Sequence, residues 1–190
     1  MSSILLNGPA VEPLTLAGAK AFLRVEHADD DDIITALIAG ARIHVEAQTR
    51  RALITQSWRL VRDVWPTDGR IVVAPVPLVS VTAARVYKED GTTQDIDTQA
   101  FVLDAASAPA VLAFTPWSLP QPGRKVGGIE IDVVAGYGAA AGDVPEPLRQ
   151  AVRLLMAHWY ENRGLATDHA VVKLPATVAA LIAPYVVRSL

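Results

Sequence analysis

The stretch HADDDDIITALIAGARIHVEAQTR, residues 27–50, predicts the longest helix of the chain. The aspartates Asp29 to Asp32 supply a cap and negative charge for the first turn, which stabilise a helix N-terminus. At 100° per residue, the predicted helix from about Ile33 to Arg50 carries a broad apolar stripe on one side. That stripe consists of Ile33, Ile34, Leu37, Ile38, Ala41 and Val45. We expect this side to face the core of the protein.

The other side of the same helix carries a second stripe, of small and apolar residues. Its members are Ala36, Ala39, Gly40, Ile43 and Ala47. Arg42 and Glu46 lie between the two stripes, at the i,i+4 spacing of a helical ion pair. Because a helix with two apolar sides needs two neighbours, we expect the second stripe to contact a different subunit.

The segments before and after this helix predict a second, shorter helix and a series of strands. Upstream, Thr15 can cap a short helix with the sequence LAGAKAFL. Downstream, residues 53–138 contain the strand-like segments LITQSWRLVRDVW, RIVVA, SVTAARVY, FVLDA, AVLAF and IEIDVVAGY. Turn signals such as Asp68–Gly69 separate these segments, and no helical pattern intervenes. The spacing predicts an antiparallel meander or small sandwich, because a parallel sheet would need helical crossovers.

The C-terminal part of the sequence returns to helix. Pro145 and Pro147 suit the first turn of a helix that runs to about Arg163, with Gly164 at the C-cap position. A shorter helical segment follows near residues 176–182 and stops at Pro184, which cannot continue a helix.

Together these segments predict an α+β fold. Helical parts at residues 15–51 and 145–190 form a small helix bundle, and the β region at 53–138 lies between them in the sequence. At 190 residues, the chain is expected to be a single domain over 1–190.

Composition narrows the classes of function. Hydrophobic residues make up 51% of the sequence, and the formal net charge is −3. That charge argues against a general nucleic-acid binder, which normally carries a basic patch. The absence of cysteine excludes disulfides and thiolate metal sites. The start, MSSILLNGPAVEPL, lacks the basic n-region of a signal peptide, so no signal peptide is predicted. The longest uncharged stretch, residues 105–123, contains four prolines, so no membrane helix is predicted.

Two motifs resemble ligand-binding sites only superficially. In AGYGAAAG, Gly136, Gly138 and Ala141 satisfy the dinucleotide fingerprint, but Asp143 to Pro145 separate them from the next helix and no second strand with an acidic end follows. The aspartates at 29–32 resemble a calcium loop but lack its glycine and glutamate at the required positions. Neither motif predicts a cofactor or a metal.

The end of the long C-terminal helix, LRQAVRLLMAHWYENRG, raises a third possibility. His158 and Glu161 stand three residues apart, as metal ligands can, but the sequence offers no third ligand in matching spacing. On a helical wheel Trp159 lies toward the core with Leu148, Ala151, Val152 and Leu155. The remaining aromatic and basic side chains diverge, and such residues are enriched in protein interfaces. We therefore expect Arg153, Tyr160 and Arg163 to contact a neighbouring subunit.

The order of several segments resembles one known family. These segments are VEAQTRRALITQSW, PVPLVSVTAARVY with EDG, AGYG with a short spacer to VPEPLRQAVRLLMAHWYENR, and LPATVAALIAPYVVRSL. Their order and spacing are similar to those of the head–tail connector (adaptor) proteins of tailed bacteriophages, prophages and gene transfer agents. The resemblance runs from about Leu14 to Leu190.

The resemblance implies a structural protein that is not an enzyme and has no cofactor or metal. Twelve copies would form a ring under the portal, joining the DNA-filled head to a tail-side neck protein, and DNA would pass through the lumen without specific binding. The protein would be made in the bacterial cytoplasm, reside in the neck of the particle and contact no membrane. The residues that the resemblance assigns to the portal contact are Leu174, Pro175, Leu181, Pro184, Tyr185 and Arg188.

One alternative comes from the aromatic residues of the β region. Trp58, Trp65 and Trp117 could form stacking surfaces for a small ligand or a carbohydrate. The chain would then be a binding module with helical flanks, and the three tryptophans would line one pocket.

Overall fold

The computed structural model describes residues 2–162 and 174–188. Four α-helices occur in these residues: α1 Leu16–Leu23, α2 Asp31–Thr49, α3 Glu146–Glu161 and α4 Ala176–Ile182. Eight strands occur there as well: β1 Ser2–Asn7, β2 Gln56–Arg62, β3 Arg70–Val73, β4 Leu78–Tyr87, β5 Thr93–Ile96, β6 Val102–Asp104, β7 Ala110–Ala113 and β8 Ile129–Ala135. The predicted α+β fold, with helices flanking an antiparallel β region in sequence, is confirmed.

Contacts divide the chain into two compact units. The β unit comprises Met1–Ala10, Thr55–Gly136 and Val187–Leu190, and the helical unit comprises Val11–Ile54 and Tyr137–Val186. The β unit therefore contains nearly all of the β region that the sequence predicts at 53–138. A single domain over 1–190 stays a prediction.

The larger sheet of the β unit has the strand order β1-β2-β8-β4-β5, with antiparallel pairing throughout. Alternate residues of β8 are buried, because successive side chains of a strand point to opposite faces. Ile131 pairs with Leu60 on one side and with Ala84 on the other, and all three are buried. The sheet is therefore no simple meander: its central strand is the last one in the sequence.

A second antiparallel sheet has the order β3-β7-β6. Its inner residues Ile71 and Leu112 pair with each other and are both buried. An aromatic cluster completes the core of the β unit, with the Trp65 ring centroid 5.1 Å from that of Phe114 and 6.1 Å from that of Phe101.

Strands β1 and β5 are not among the strands that the sequence pattern predicts. The apolar run of β1 is only three residues long, Ile4 to Leu6, and does not alternate with polar residues. Strand β5, with the sequence TQDI, is mostly polar. Both are edge strands, which bury little surface, so hydrophobic periodicity carries little information about them.

The two N-terminal helices lie close to their predicted positions. The Thr15 side chain accepts a hydrogen bond from the Gly18 N–H at 3.1 Å and so caps α1. In α2 the predicted inner stripe is buried at Ile34, Ile38, Ala41 and Val45. Ile33 is an exception, since 42% of it is exposed. It lies about 100° around the helix from Ile34, in the first turn, and so points away from the core.

Helix α3 packs its apolar face into the core of the helical unit. Leu148, Ala151, Val152 and Leu155 are buried, as predicted, and Met156 is also fully buried. Trp159 is only partly buried at the margin of this core. The helix ends at Glu161, where the Asn162 N–H donates to the His158 carbonyl. The predicted C-cap at Gly164 lies outside the described residues.

Candidate assembly surfaces

The outer side of α2 forms an apolar surface opposite its buried stripe. Ile43 is 56% exposed, and Ala36 and Ala47 are also exposed. Ala39 and Gly40 are partly buried. We call these five residues the outer stripe of α2. They lie on one side of the helix because their spacing follows its 3.6-residue period.

One member of the outer stripe also contacts α3. A Cβ atom on Gly40 would lie 3.4 Å from Cζ3 of Trp159, which is ordinary van der Waals contact, so the indole packs beside this position of α2. His44 meets the same indole edge to face, with ring centroids 5.8 Å apart. Trp159 therefore packs on α2, and Gly40 lies at the border between the outer stripe and this contact.

Arg153 and Tyr160 both have partners within the helical unit. The Arg153 guanidinium donates to Oε1 of Gln150 at 2.5 Å and lies 5.9 Å from the ring centroid of Phe22. The Tyr160 hydroxyl donates to a carboxylate oxygen of Asp30 at 2.5 Å, which links α3 to the start of α2. Arg163, the third residue predicted on this surface, lies outside the described residues.

The residues that the resemblance assigns to the portal contact lie along the C-terminal segment. Leu174, Leu181 and Tyr185 are partly buried and pack against the helical core, and Pro175 is partly buried as well. Pro184 and Arg188 are exposed. In the helical unit, apolar side chains therefore hold the segment while Pro184 stays exposed. Arg188 belongs to the β unit and is described there by its exposure alone.

Arg51 fixes the position of Tyr185 in this segment. Its Nε donates to the Tyr185 carbonyl oxygen at 2.7 Å, and its guanidinium carbon lies 5.9 Å from the Tyr185 ring centroid. These contacts join residues 134 positions apart in sequence. Sequence reasoning could not pair them, because neither residue belongs to a periodic pattern that includes the other.

The AGYGAAAG loop and His158, which resemble parts of ligand-binding sites in the sequence, make contacts within the chain. A Cβ atom on Gly138 would lie 2.2 Å from Oδ2 of Asp143, and the same carboxylate accepts from the Ala140 N–H at 2.9 Å. Asp143 therefore fills the loop in which a nucleotide phosphate would have to bind. His158 lies beside Asn162, with Nδ1 and Nδ2 3.3 Å apart.

The tryptophans of the β region do not share a surface. Trp65 is 6% exposed and belongs to the aromatic cluster with Phe101 and Phe114, whereas Trp117 is 84% exposed. Trp58 is partly buried on β2. A common stacking surface would need all three at one pocket, so this arrangement does not support the ligand-binding alternative.

The larger sheet carries a network of charged side chains that the sequence pattern does not predict. Arg59 on β2 and Arg85 on β4 flank Asp132 and Glu130 on β8, and each arginine pairs with both carboxylates at 2.7–3.2 Å. In the sequence, the alternation of Glu130 and Asp132 with apolar residues in IEIDVV indicates a charged face of this strand. Only the strand order shows that Arg59 and Arg85 lie beside that face. The hydrogen bond from Arg59 lowers the pKa of Asp132, and the charges of both arginines reinforce that shift.

This network predicts pH-dependent stability. Since the folded-state pKa of Asp132 lies below its unfolded value, its contribution is present near neutral pH and is lost as the pH falls through the folded pKa. Replacing Asp132 with asparagine should cost about 1.5–3 kcal/mol at pH 7, the range for hydrogen bonds to charged groups. Urea titrations should show the difference from wild type shrinking below about pH 4, near the unfolded pKa. The same change at exposed Asp95 should have little effect, and an equal loss at both sites would contradict the prediction.

No helix among residues 2–162 and 174–188 is long and apolar enough to cross a membrane. Over the same residues, no group of three or more His, Cys, Asp or Glu side chains could hold a metal ion.

Comparison with solved structures finds chains of gene transfer agent (GTA) particles. A chain of the native GTA virion is 28% identical, with a TM-score of 0.82, covering 100% of this chain and 98% of that one. A chain of the neck of an empty GTA particle, computed with C6 symmetry, is 28% identical, with a TM-score of 0.81 and the same coverage. A chain of the native GTA neck, computed with C12 symmetry, is 30% identical, with a TM-score of 0.76, covering 98% and 97%. No family model and no curated protein matches the sequence. The similarities support a structural protein of the neck of a phage-like particle.

Proposed function

We propose that the chain is a head–tail connector, or adaptor, that forms a ring under the portal of a phage-like particle. The ring joins the DNA-filled head to a tail-side neck protein, and DNA passes through its lumen. The full-length similarity to GTA neck chains carries this proposal, because it extends over both the helical unit and the β unit.

The outer stripe of α2 is the proposed contact between subunits. It is an apolar strip on the longest described helix, and its one large side chain, Ile43, has more than half of its surface exposed. Exposed apolar patches are typical of protein interfaces. Arg153, Tyr160 and Arg163 are proposed to lie at the margin of this contact. In this role Arg153 and Tyr160 would combine their contacts within the chain with contacts to a neighbour.

The C-terminal segment is the proposed contact with the portal. Arg51 and the packing of Leu181 and Tyr185 hold the part of the segment that lies in the helical unit, where Pro184 is available to a partner. Arg188, in the β unit, is exposed as well. A contact segment that is ordered before binding loses less conformational entropy when the complex forms.

The net charge of −3 agrees with a lumen that lets DNA pass. Affinity for DNA arises mainly from cationic contacts with phosphates, so a chain without an excess of basic residues retains DNA weakly. We expect the binding of the assembled ring to duplex DNA to be weak and independent of base sequence.

The test is assembly with the portal protein of the same particle. The purified chain is mixed with portal and followed by light scattering and electron microscopy. We expect cyclic rings seated on the portal. If neither a ring nor a portal complex forms at any protein concentration or salt, the proposed function is wrong.

Reversing the charge of Arg188 should weaken binding to the portal without changing the stability of the fold. Arg188→Glu lies at an exposed position, so the free energy of unfolding should change by less than about 0.5 kcal/mol. Binding to portal, measured by co-sedimentation, should weaken about tenfold or more, since about 1.4 kcal/mol corresponds to a factor of ten. Lys125→Glu, at an exposed site of the β unit, is the matched control and should bind normally. Normal portal binding by Arg188→Glu would remove this residue from the contact.

A further inference from the structure

Strand β1 is an edge strand of the larger sheet. Among residues 2–162 and 174–188 it pairs with β2 alone, and all six of its residues are exposed. Ile4 and Leu5 point to opposite faces of the sheet and are 50% and 46% exposed, so neither face of the strand is covered. Edge strands of stable monomers usually carry a charge, a proline or a bulged end that prevents pairing with other chains. The sequence SSILLN contains no charged residue and no proline. The register of β1 with β2 shifts only at its end, between Leu5 and Asn7, so the four residues before this irregularity form a regular, uncharged edge.

The opposite edge of the same sheet is formed by β5. In the part of the chain that the structure describes, β5 ends the strand order and has no partner other than β4. Its residues Thr93, Gln94 and Asp95 are exposed, and Ile96 is buried. Acidic residues surround this edge: besides Asp95 in the strand, Glu89 and Asp90 precede it and Asp97 follows it. Two β5 edges would therefore repel each other if they were brought together.

We propose that β1 of one copy adds to the β5 edge of the next copy, so that the sheet continues from subunit to subunit. This inference rests on the proposed ring. A cyclic ring needs a head-to-tail interface made of two different surfaces on each subunit, and the two ends of one sheet meet that requirement. The uncharged β1 can approach the acidic β5 edge without like-charge repulsion. Addition of a strand satisfies the free backbone groups of both edges and covers the apolar side chains of β1.

The absence of native cysteine allows the contact to be trapped. Leu5 and Gln94 lie on the same face of the sheet, as the pairing through β2, β8 and β4 shows. Four strand spacings of about 4.8 Å separate β1 from β5 in one chain, about 19 Å in all, whereas a disulfide needs Cα atoms within about 7 Å. A disulfide between these positions must therefore join two chains.

The experiment compares double and single cysteine variants of the full chain after mild oxidation. Leu5→Cys with Gln94→Cys, and Ser3→Cys with Gln94→Cys, cover two possible registers. We expect a ladder of cross-linked species beyond the dimer for at least one pair on non-reducing gels, because each chain then carries both halves of the contact. Each single variant can give at most a dimer. Val102→Cys with Gln94→Cys is the control for random collisions, since Val102 is 68% exposed in the other sheet of the β unit.

The outcomes separate this inference from the proposed function. A ladder from a β1–β5 pair that exceeds the control supports the strand addition. If both pairs stop at the dimer while electron microscopy shows rings of the same variants, the strand addition is wrong and the ring stands. A control ladder equal to that of the β1–β5 pairs also overturns it. If neither rings nor ladders form, both proposals fail.

Discussion

Replacing Trp65 with alanine is expected to lower the free energy of unfolding of the β unit by about 3–5 kcal/mol, the range for a large buried aromatic. The side chain is 6% exposed and packs against Phe101 and Phe114. Its indole N–H donates to the Pro120 carbonyl oxygen at 2.9 Å. Truncation leaves a cavity between the two phenylalanines and removes the donor for that carbonyl, and both effects destabilise the folded state.

Trp117 provides the matched control for this prediction. The same substitution at Trp117, which is 84% exposed, should change the free energy of unfolding by no more than about 0.5 kcal/mol. Denaturant titrations followed by far-UV circular dichroism measure both variants without relying on tryptophan fluorescence. A loss below about 1 kcal/mol for Trp65→Ala would mean that Trp65 is not a core residue and would reopen a role in ligand stacking.

An aspartate at Ile43 is expected to prevent ring assembly while leaving the fold intact. Ile43 is 56% exposed in the isolated chain, so a carboxylate there stays solvated and costs the monomer little. In a subunit contact the same carboxylate would be buried without a partner, which typically costs several kcal/mol. A loss of 2 kcal/mol per contact already weakens association about thirtyfold, and every contact of a ring incurs it.

Sedimentation velocity and electron microscopy measure this effect, with circular dichroism as the check on folding. Thr35→Asp introduces the same charge on α2 at an exposed position about 80° away from Ile43 around the helix, and it should assemble normally. Assembly of Ile43→Asp at wild-type concentration would exclude the outer stripe of α2 from the subunit contact. Failure of both variants would point to a general effect of charge on this helix.

Local features of the fold could be predicted from the sequence because the residues that interact to form them lie close together in the chain. The Thr15 cap acts over three residues, and Arg42 bonds Glu46 across one helical turn at 2.7 Å. The two sides of α2 followed from its 3.6-residue period, as did the buried face of α3. The strand-like composition of residues 53–138 and the turn signals between its segments placed the β region between two helical parts.

Other features depended on which elements become neighbours. Ile33 has the apolar side chain of a typical core residue, but its position in the first turn of α2 leaves it exposed. The helical spacing places Trp159 on the core face of α3, yet the side chain lies at the margin of the core, where it packs against Gly40 and His44. A helical wheel gives the direction of a side chain. It does not show how far a neighbouring helix extends over that side chain.

By itself, the sequence determined the α+β class, the helix positions, the two-sided character of α2 and the resemblance to phage connectors. Only the tertiary structure decided that β8 lies between β2 and β4, which brings Arg59 and Arg85 to Asp132 and places β1 and β5 at the two ends of the described sheet. The physical reason is the range of the interactions. Periodicity and capping act within a few turns of the chain, whereas strand order reflects the burial of whole apolar faces and the pairing of backbone groups far apart in sequence.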